Sequence, residues 1–339
     1  MTRARATLRT VAQAAEVSVT TVSRVVNGSK GVSFFTRSRV EQVMRQLQYS
    51  HGGNSTEPHL GPLQAIVDDF GDPAVLDVLK GVESVAQASG AGMFVAALQG
   101  RAVNPRWLTN MTARQPSSMV LITSRFAVPS YSMVRGLGVP VVVADLSEGG
   151  SAHTPAVGAS NSATGTLAVH HLLSLGHRRV GFVAAAEDLS AGSARLVGYR
   201  EALRAAGVPA DEELVQLSHH GSDAGLSGGI ALLDRPDPPT AIFAAGLRTA
   251  IGVFQAAARR GLSVPADLSV VGYDDLAQAW WLSPTLTRIR RPLADMGALA
   301  AQTAVRLANG EYADQRVDLP TELLIMDSTA APFRSVAGG

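Results

Sequence analysis

Residues 7–29 have the sequence TLRTVAQAAEVSVTTVSRVVNGS, in which hydroxyl side chains and two arginines, Arg9 and Arg24, are interspersed with small apolar residues. The first part has the apolar spacing of one helix face, at Leu8, Val11, Ala12 and Ala15. After a turn at 16–18, a second helix is predicted whose inward side consists of Val22, Val25 and Val26. Its other side carries hydroxyls and a guanidinium, at Thr20, Thr21, Ser23 and Arg24. The stretch therefore predicts two short helices joined by a tight turn.

A third helix is predicted after Ser33, with the apolar stripe Val40, Val43, Met44 and Leu47. Two short helices, a three-residue turn and a bracing third helix form a helix-turn-helix. Short hydroxyl side chains can bind phosphates, and an arginine such as Arg24 can reach a guanine edge in the major groove. The alternative that this pattern leaves open is a small three-helix bundle used for protein contacts.

Charge is concentrated in the same region. The chain of 339 residues has a net charge of +1, but residues 1–50 hold eight Lys and Arg against two acids, a net +6. The remainder holds 21 bases and 26 acids, a net −5. A basic N-terminal region on a slightly acidic body indicates a polyanionic partner, and the alternative is a solvated basic tail.

Composition narrows the class of protein further. With 46% apolar residues the chain can form two or three domains with real cores. It has no cysteine, which excludes disulfides and thiolate chemistry. No apolar run reaches about 18 residues, so we predict a cytoplasmic protein without a membrane partner.

Residues 7–49 closely resemble the N-terminal region of lac-repressor-like (LacI/GalR family) transcriptional regulators, most clearly in VAQAAEVSVTTVSRVVN at 11–27. The resemblance implies that Val19, Thr20 and Arg24 read bases, with Val19 against a thymine methyl group. The other residues implied in DNA binding hold phosphates or cap helices: Thr7, Ser18, Thr21, Ser23, Asn27, Ser33 and Thr36.

Two departures from the family pattern are visible. Glu16 stands in the turn where the family usually has glycine, so we expect the turn to avoid a positive φ there. In the linker, Gly52, Gly53 and Pro58 disfavour the hinge helix that relatives insert at the operator centre. The hypothesis is a flexible linker with little minor-groove kinking, and an ordered helix across 52–59 in a DNA complex would refute it.

The remaining chain alternates short apolar segments with helical stretches of 10–17 residues. Strands are predicted at 63–67, 93–97, 119–122, 139–144, 179–184, 214–217, 241–245, 268–271 and 323–326. Helices between them include 74–89, 162–175, 195–206 and 249–260. This order predicts parallel sheets with helices on both faces, in two half-domains, and ligands of such folds bind at the carboxyl ends of the strands.

The resemblance continues in NSATGTLAVHHLLSLGHRRVGFVAA (161–185) and in GLSVPADLSVVGYDDLAQAWWLSPTLTRIRRPLADMG (261–297). It implies an α/β, two-lobed, periplasmic-binding-protein-like (type I) effector domain behind the all-α helix-turn-helix domain, with three chain crossings between the lobes. The predicted limits are 1–50 for the DNA-binding domain and 51–61 for the linker. The N-lobe takes 62–158 and 290–320, and the C-lobe 159–289 and 321–334.

For the effector site the resemblance implies Asp145, Arg195 and Asp274, whose charged groups can hold sugar hydroxyls. Apolar walls or stacking surfaces are assigned to Phe70, His220 and Trp281. A helix cap or a lobe-bridging ion pair is the alternative for each polar residue. One departure is Gly246-Leu247, followed by Arg248, where the family usually has Asn-Asp. The departure argues against a typical sugar and adds an anionic or less hydroxylated ligand near Arg248 to the candidate effectors, so the effector is predicted to be sugar-like or a small anion.

Together these features predict a ligand-responsive DNA-binding repressor that binds a two-fold operator as a homodimer. No enzyme activity, cofactor or metal site is predicted. The nucleophile-like GLSGG at 225–229 does not follow a strand directly, as an active-site elbow requires. The rival interpretation is a small-molecule receptor without a DNA function.

Overall fold

The computed structural model describes residues 7–26, 32, 34–47, 61–99, 103–123, 133–145, 154–185, 189–218 and 223–332. The chain forms two units, Met1–Pro58 and His59–Gly339. Within the described part of the chain, no helix is both long and apolar enough to cross a membrane.

The first unit consists of three helices, α1 (Leu8–Ala14), α2 (Val19–Val26) and α3 (Phe34–Gln46). Thr7 begins α1 with a reciprocal capping box, in which its hydroxyl accepts from the Thr10 N–H at 3.3 Å. The core is a cluster of small buried residues from all three helices: Val11, Ala12, Ala15, Val22, Val25 and Val40. This confirms the predicted helix-turn-helix arrangement of the N-terminal residues.

Two details of this unit differ from the prediction. Leu47 follows the end of α3 and is 38% exposed, so it does not belong to the apolar stripe of that helix. Glu16 has φ 51°, so the turn does adopt the left-handed conformation there, contrary to the expectation. The turn geometry between α1 and α2 requires this conformation, which glycine adopts at no steric cost and glutamate only with strain.

The second unit contains two six-stranded sheets. The strands of the N-lobe sheet are β1 (Leu63–Val67), β2 (Met93–Ala97), β3 (Ser118–Thr123), β4 (Val141–Asp145), β5 (Ala156–Gly158) and β11 (Arg316–Asp318). Their order is β11-β5-β4-β3-β1-β2, with parallel pairing throughout. The parallel pairing explains why β1 is buried on both faces along its whole length.

The C-lobe sheet has a similar architecture. Its strands are β6 (Val180–Ala185), β7 (Val215–Ser218), β8 (Ala241–Ala244), β9 (Ser269–Tyr273), β10 (Thr287–Arg290) and β12 (Glu322–Leu324). Their order is β12-β10-β9-β8-β6-β7, and β12 pairs antiparallel with β10. The predicted parallel sheets are confirmed. The antiparallel direction of the edge strand β12 was not predicted. The three-residue strands β5 and β11 and the strand β10 were missed, because such short segments carry little periodic signal.

Helices cover both faces of each sheet. In the N-lobe these are α4 (Pro73–Ala88), α5 (Pro105–Thr112) and α10 (Leu293–Ala308); in the C-lobe they are α6 (Asn161–Ser174), α7 (Leu189–Ala205), α8 (Ala224–Leu233) and α9 (Leu247–Arg259). Asp72 and Asn104 cap α4 and α5 just before a proline at the first helical position. The GLSGG segment lies inside α8, without the strand-turn-helix setting of a nucleophile.

The chain passes between the two sheets three times. It leaves the N-lobe after β5, returns between β10 and α10, and crosses again between β11 and β12. The crossings leave from the carboxyl ends of β5, β10 and β11, and the candidate site lies at the carboxyl end of the C-lobe strands. The exact lobe limits stay a prediction.

Candidate nucleic-acid interface and ligand cleft

The exposed side of α2 carries the three predicted base readers. Val19 is 42% exposed, and Thr20 and Arg24 are exposed as well. Val22 and Val25 are buried on the opposite side, against α1 and α3. A helix held by its valines thus presents a methyl-rich surface, a hydroxyl and a guanidinium together, and this combination suits base edges in a major groove.

Hydroxyl groups at the helix starts have local partners. The Ser18 hydroxyl accepts from the Thr21 N–H at 3.0 Å and lies 2.8 Å from the Thr21 hydroxyl. The helix-capping predictions for Thr7 and Ser18 are therefore confirmed, while contact of the predicted set with phosphates stays a prediction. Thr21, Ser23 and Thr36 are half-buried. Asn27 and Ser33 lie outside the described residues.

The second candidate site is a buried polar cluster at the carboxyl ends of the C-lobe strands. Arg195 of α7 is 4% exposed and donates to the Asn161 Oδ1 at 3.0 Å and to the carbonyl of Ala245, just after β8. Tyr273, the last residue of β9, donates its hydroxyl to the same Oδ1 at 3.0 Å. The Asn161 side chain therefore orients two groups from different elements, at the point where the chain first enters the C-lobe.

Two guanidiniums flank the Tyr273 ring. The Cζ of Arg195 lies 3.6 Å from the ring centroid, and that of Arg291 lies 5.0 Å away. Burial raises the pKa of Tyr273, while both arginines oppose the shift by stabilising the phenolate. The hydroxyl therefore stays protonated near neutral pH and acts as a hydrogen-bond donor.

Asp274 and Arg291 form a bidentate ion pair, with Nε–Oδ1 and Nη2–Oδ2 distances of 2.7 and 2.8 Å. Their side chains are 13% and 5% exposed. Burial by itself lowers the pKa of Arg291. Asp274 and Tyr273, together with Asp72 at the start of α4 in the N-lobe, raise this pKa by more, so the net shift is upward. Arg291 lies at the start of the crossing between β10 and α10, so the pair anchors this crossing to the carboxyl end of β9.

The backbone at Asp274 is also unusual. Its φ is 74°, a left-handed conformation that aspartate tolerates better than most residues. Its N–H donates to the Ile289 carbonyl of β10 at 3.0 Å. The strained backbone aims the carboxylate at Arg291, and strain of this kind is concentrated at functional sites in proteins.

A second ion pair supports this edge of the C-lobe. Arg288 is fully buried and donates from Nε to the Asp275 Oδ1 at 2.8 Å and from Nη1 to the Leu286 carbonyl at 2.8 Å. Its Cζ lies 4.4 Å from the ring centroid of Trp280. This arrangement fixes the short 3₁₀ helix Ala277–Trp281 beside the cleft.

The other predicted effector residues have different surroundings. Phe70 and Trp281 are 60% and 77% exposed, so neither side chain packs against the Arg195–Tyr273 cluster as an inner wall. Asp145 ends β4 at the corresponding edge of the N-lobe sheet, and the position of its side chain is not described. His220 lies outside the described residues. Arg248 is exposed at the start of α9, where Gly246 provides no side-chain cap.

Sequence reasoning missed Asn161, Tyr273 and Arg291, although all three lie in the segments that carry the family resemblance. Each directly follows or ends a strand, or begins a helix, at a carboxyl edge. That position is the available signal, because polar residues at such edges line the ligand crevice of open α/β sheets.

Comparisons with known proteins agree with this geometry. Residues 7–51 match the family described as "Bacterial regulatory proteins, lacI family", and residues 169–329 match a "Periplasmic binding protein-like domain". The ribose operon repressor of Haemophilus influenzae is 30% identical over 345 residues, covering 98% of each chain.

Two solved structures are similar over 96% of the chain. A CelR–cellobiose complex has a TM-score of 0.70 at 31% identity, and the match covers 100% of the CelR chain. The lac repressor dimer bound to operator and the anti-inducer ONPF has a TM-score of 0.70 at 26% identity, and the match covers 99% of the lac repressor chain. These relatives are transcription regulators rather than enzymes. From the helix-turn-helix of the first unit, the two-lobed second unit and full-length similarity to these regulators, the chain belongs to the lacI family of DNA-binding bacterial regulatory proteins.

Proposed function

We propose that this protein is a cytoplasmic, homodimeric repressor whose operator affinity is controlled by a small polyhydroxylated effector. The observation that carries the DNA part is the exposed side of α2, where Val19, Thr20 and Arg24 lie together over buried valines. One such helix makes few base contacts, so two protomers on a two-fold site double the contact set. The operator-bound dimer of the lac repressor supports this arrangement.

The effector part rests on the cluster at the carboxyl ends of the C-lobe strands. Arg195, Asn161 and Tyr273 present fixed polar groups beside an aromatic ring, and the Asp274–Arg291 pair lies next to them. Guanidinium and carboxylate groups held in this way bind sugar hydroxyls by charge-assisted hydrogen bonds. The cellobiose bound to CelR and the ribose operon controlled by the Haemophilus repressor support a sugar. Because Arg248 is an exposed cation at the start of α9, small anions are also tested as effectors.

Control requires that the effector distinguish two states of the dimer. An effector with equal affinity for both states shifts nothing, however tightly it binds. Because the Asp274–Arg291 pair joins a C-lobe strand end to the crossing into the N-lobe, a ligand that contacts this pair can favour one lobe arrangement over another.

The DNA assignment is tested with the full chain and with a variant lacking residues 1–61. Selection from a random duplex pool yields the operator sequence, and gel shifts then compare the two proteins. We expect specific binding by the full chain, with an affinity that falls steeply as salt rises, and none by the shortened chain. Retained DNA binding after the deletion would move the interface to the second unit. A full chain that selects no sequence would favour the receptor interpretation.

The effector assignment is tested by thermal shift of the full chain against ribose, cellobiose, other sugars and small anions. A ligand that binds the folded form raises the melting temperature in a concentration-dependent manner. The active compound is then added to the gel shift, where a change in operator affinity identifies it as an effector. An Asn161→Ala variant should lose the thermal response, and an unaltered response would place the ligand elsewhere.

A further inference from the structure

A small cavity lies at the amino edge of the N-lobe sheet, at the opposite end of the strands from the cleft. Its volume is about 270 Å³. Val139 and Pro140 precede β4, and Thr154 and Pro155 precede β5, so the cavity lies where two parallel strands begin. We infer that this cavity is a second ligand site, which binds a small monocarboxylate with an apolar body.

The cavity lining contains a buried hydroxyl group. Thr154 is 2% exposed, and its Oγ1 has no hydrogen-bond partner among the described residues. A buried polar atom that is left unsatisfied costs stability, and native proteins pair the great majority of such atoms. A bound acceptor would satisfy this hydroxyl.

The cavity lining also carries a positive charge. Arg135 is the one charged residue that lines the cavity; it is exposed, and no ion pair with it occurs in the described part of the chain. A guanidinium binds a carboxylate with two parallel hydrogen bonds, and the Thr154 hydroxyl adds a third donor. A single cation does not compensate a dianion in a cavity of this size, so a monoanion fits better.

The apolar lining determines the rest of the ligand. Five of the seven lining residues have apolar side chains: Val139, Pro140, Val141, Pro155 and Leu307. A volume of about 270 Å³ corresponds to about nine water molecules at ~30 Å³ each, which suits one ring or a short aliphatic chain. Apolar walls with a few convergent polar groups are the usual composition of ligand pockets.

The site is separate from the effector cleft, because parallel strands place their amino and carboxyl ends at opposite edges of the sheet. It is instead close to the entry of the chain into the N-lobe. The Pro140 carbonyl accepts from the Met119 N–H of β3, and the preceding Ser117 donates to the carbonyls of Pro62 and Gly61. A ligand at Pro140 is thus one strand away from the segment that precedes β1.

Benzoate is the probe, and benzyl alcohol of nearly the same shape is the uncharged control. Titration of the full chain, followed by calorimetry, should give saturable benzoate binding with a dissociation constant of about 0.1–1 mM, the range expected for nine heavy atoms. Benzyl alcohol should bind at least about tenfold more weakly, since it lacks the charge. Equal binding of the two compounds, or no saturable binding of benzoate, would overturn the inference.

Substitutions of the lining residues test whether benzoate binds in this cavity. Arg135→Gln should weaken benzoate binding about tenfold or more, whereas Arg106→Gln, at an exposed position on α5, should leave it unchanged. Thr154→Val should also weaken binding, yet it should raise the melting temperature of the free protein because the unsatisfied hydroxyl is removed. If Arg135→Gln and Arg106→Gln bind benzoate equally well, the probe lies in another site and the inference is wrong. Neither result depends on the identity of the cleft effector.

Discussion

Val19 and Val22 are the same residue type, three positions apart on α2, yet Val19 is 42% exposed and Val22 fully buried. Val19 lies in the first turn, outside the cluster formed by the buried residues of the three helices. An exposed valine contributes little to the core, but it is available for apolar contact with a thymine methyl, as predicted for Val19. Hydrophobicity alone does not distinguish the two valines: helical periodicity placed Val22 on the inward side, and the family resemblance assigned base reading to Val19.

Arg24→Ala tests base reading at this scale. We expect operator binding to weaken by about 1–3 kcal/mol and discrimination to be lost at one base pair, because a bidentate contact to a base edge is removed. Gel-shift competition with single-base operator variants measures both effects. Arg39→Ala, at an exposed position on α3, is the control and should weaken binding uniformly across sequences. An unaltered sequence preference in Arg24→Ala would remove Arg24 from the readers.

Asp274→Asn tests the ion pair that anchors the crossing from β10 to α10. The amide keeps the shape and tolerates the left-handed backbone, but it leaves Arg291 buried without its opposite charge. We expect the free energy of unfolding to fall by about 3–5 kcal/mol, as measured in urea by tryptophan fluorescence. The control is Asp234→Asn, which breaks a solvent-exposed pair with Arg260 and should have little measurable effect. Similar losses in the two variants would contradict a special role of the buried pair.

At the scale of elements, closely crossing helix pairs hold the cleft residues in place. Where α6 crosses α7, a Cβ on Gly165 would lie 2.1 Å from the Arg195 carbonyl oxygen, and a Cβ on Gly198 would lie 1.9 Å from the Ser162 carbonyl oxygen. Only glycine permits this approach, and the approach brings Arg195 to Asn161. The pairs α4–α10 and α8–α9 have the same arrangement, with glycines at 81 and 297 and at 225 and 252.

Gly198→Ala should therefore separate α6 from α7. We expect a loss of at least about 1–3 kcal/mol in the free energy of unfolding, since overpacking moves backbone rather than a side chain. The effector response should also weaken as Arg195 shifts. Gly92→Ala is the matched control, because a Cβ there meets no atom within 4 Å. If urea unfolding gives the same stability for both variants, the close crossing does not determine the position of α7.

At the scale of the whole molecule, the residues that follow β12 are held on the C-lobe by buried polar groups. Ser328 donates its hydroxyl to the Val270 carbonyl at 2.6 Å, and the Ala330 N–H donates to the Ser269 hydroxyl at 3.0 Å. His177 lies beneath them, 1% exposed, with Nε2 2.9 Å from the Ala330 carbonyl oxygen and Nδ1 2.8 Å from the Thr240 hydroxyl. A carbonyl partner requires a proton on Nε2, so the neutral ring accepts at Nδ1.

Stability should therefore depend on pH through His177. Burial lowers its pKa below 6.5, although the bond to Ala330 opposes the shift, and burial also lowers the pKa of neighbouring His171. Because the folded state binds the proton less readily than the unfolded state, the stabilisation is complete above pH 6.5 and is lost as pH falls below it towards the folded pKa. Melting temperatures between pH 7.5 and 5 should fall in this direction. A His177→Gln variant should show a flatter profile, and His170→Gln, at an exposed position on α6, should retain the parent slope.

The local sequence determined the elements of this protein and the composition of its α2 surface. Apolar periodicity and capping residues predicted most helices and strands within a few residues, because both act over one or two turns. The resemblance predicted the two-lobed architecture and, among the buried polar residues at the carboxyl ends of the C-lobe strands, Arg195 and Asp274. The conformation of Glu16, however, depends on how α1 and α2 pack, and no local rule indicated it.

Only the tertiary structure decided which polar residues meet. Arg195 and Tyr273 are 34 and 112 positions away from Asn161, their common acceptor, and the sheet topology with its glycine crossings brings the three together. The Asp274–Arg291 pair likewise depends on adjacent strands β9 and β10. Contacts over such separations follow from packing and strand order, which the periodicity of a single segment does not specify.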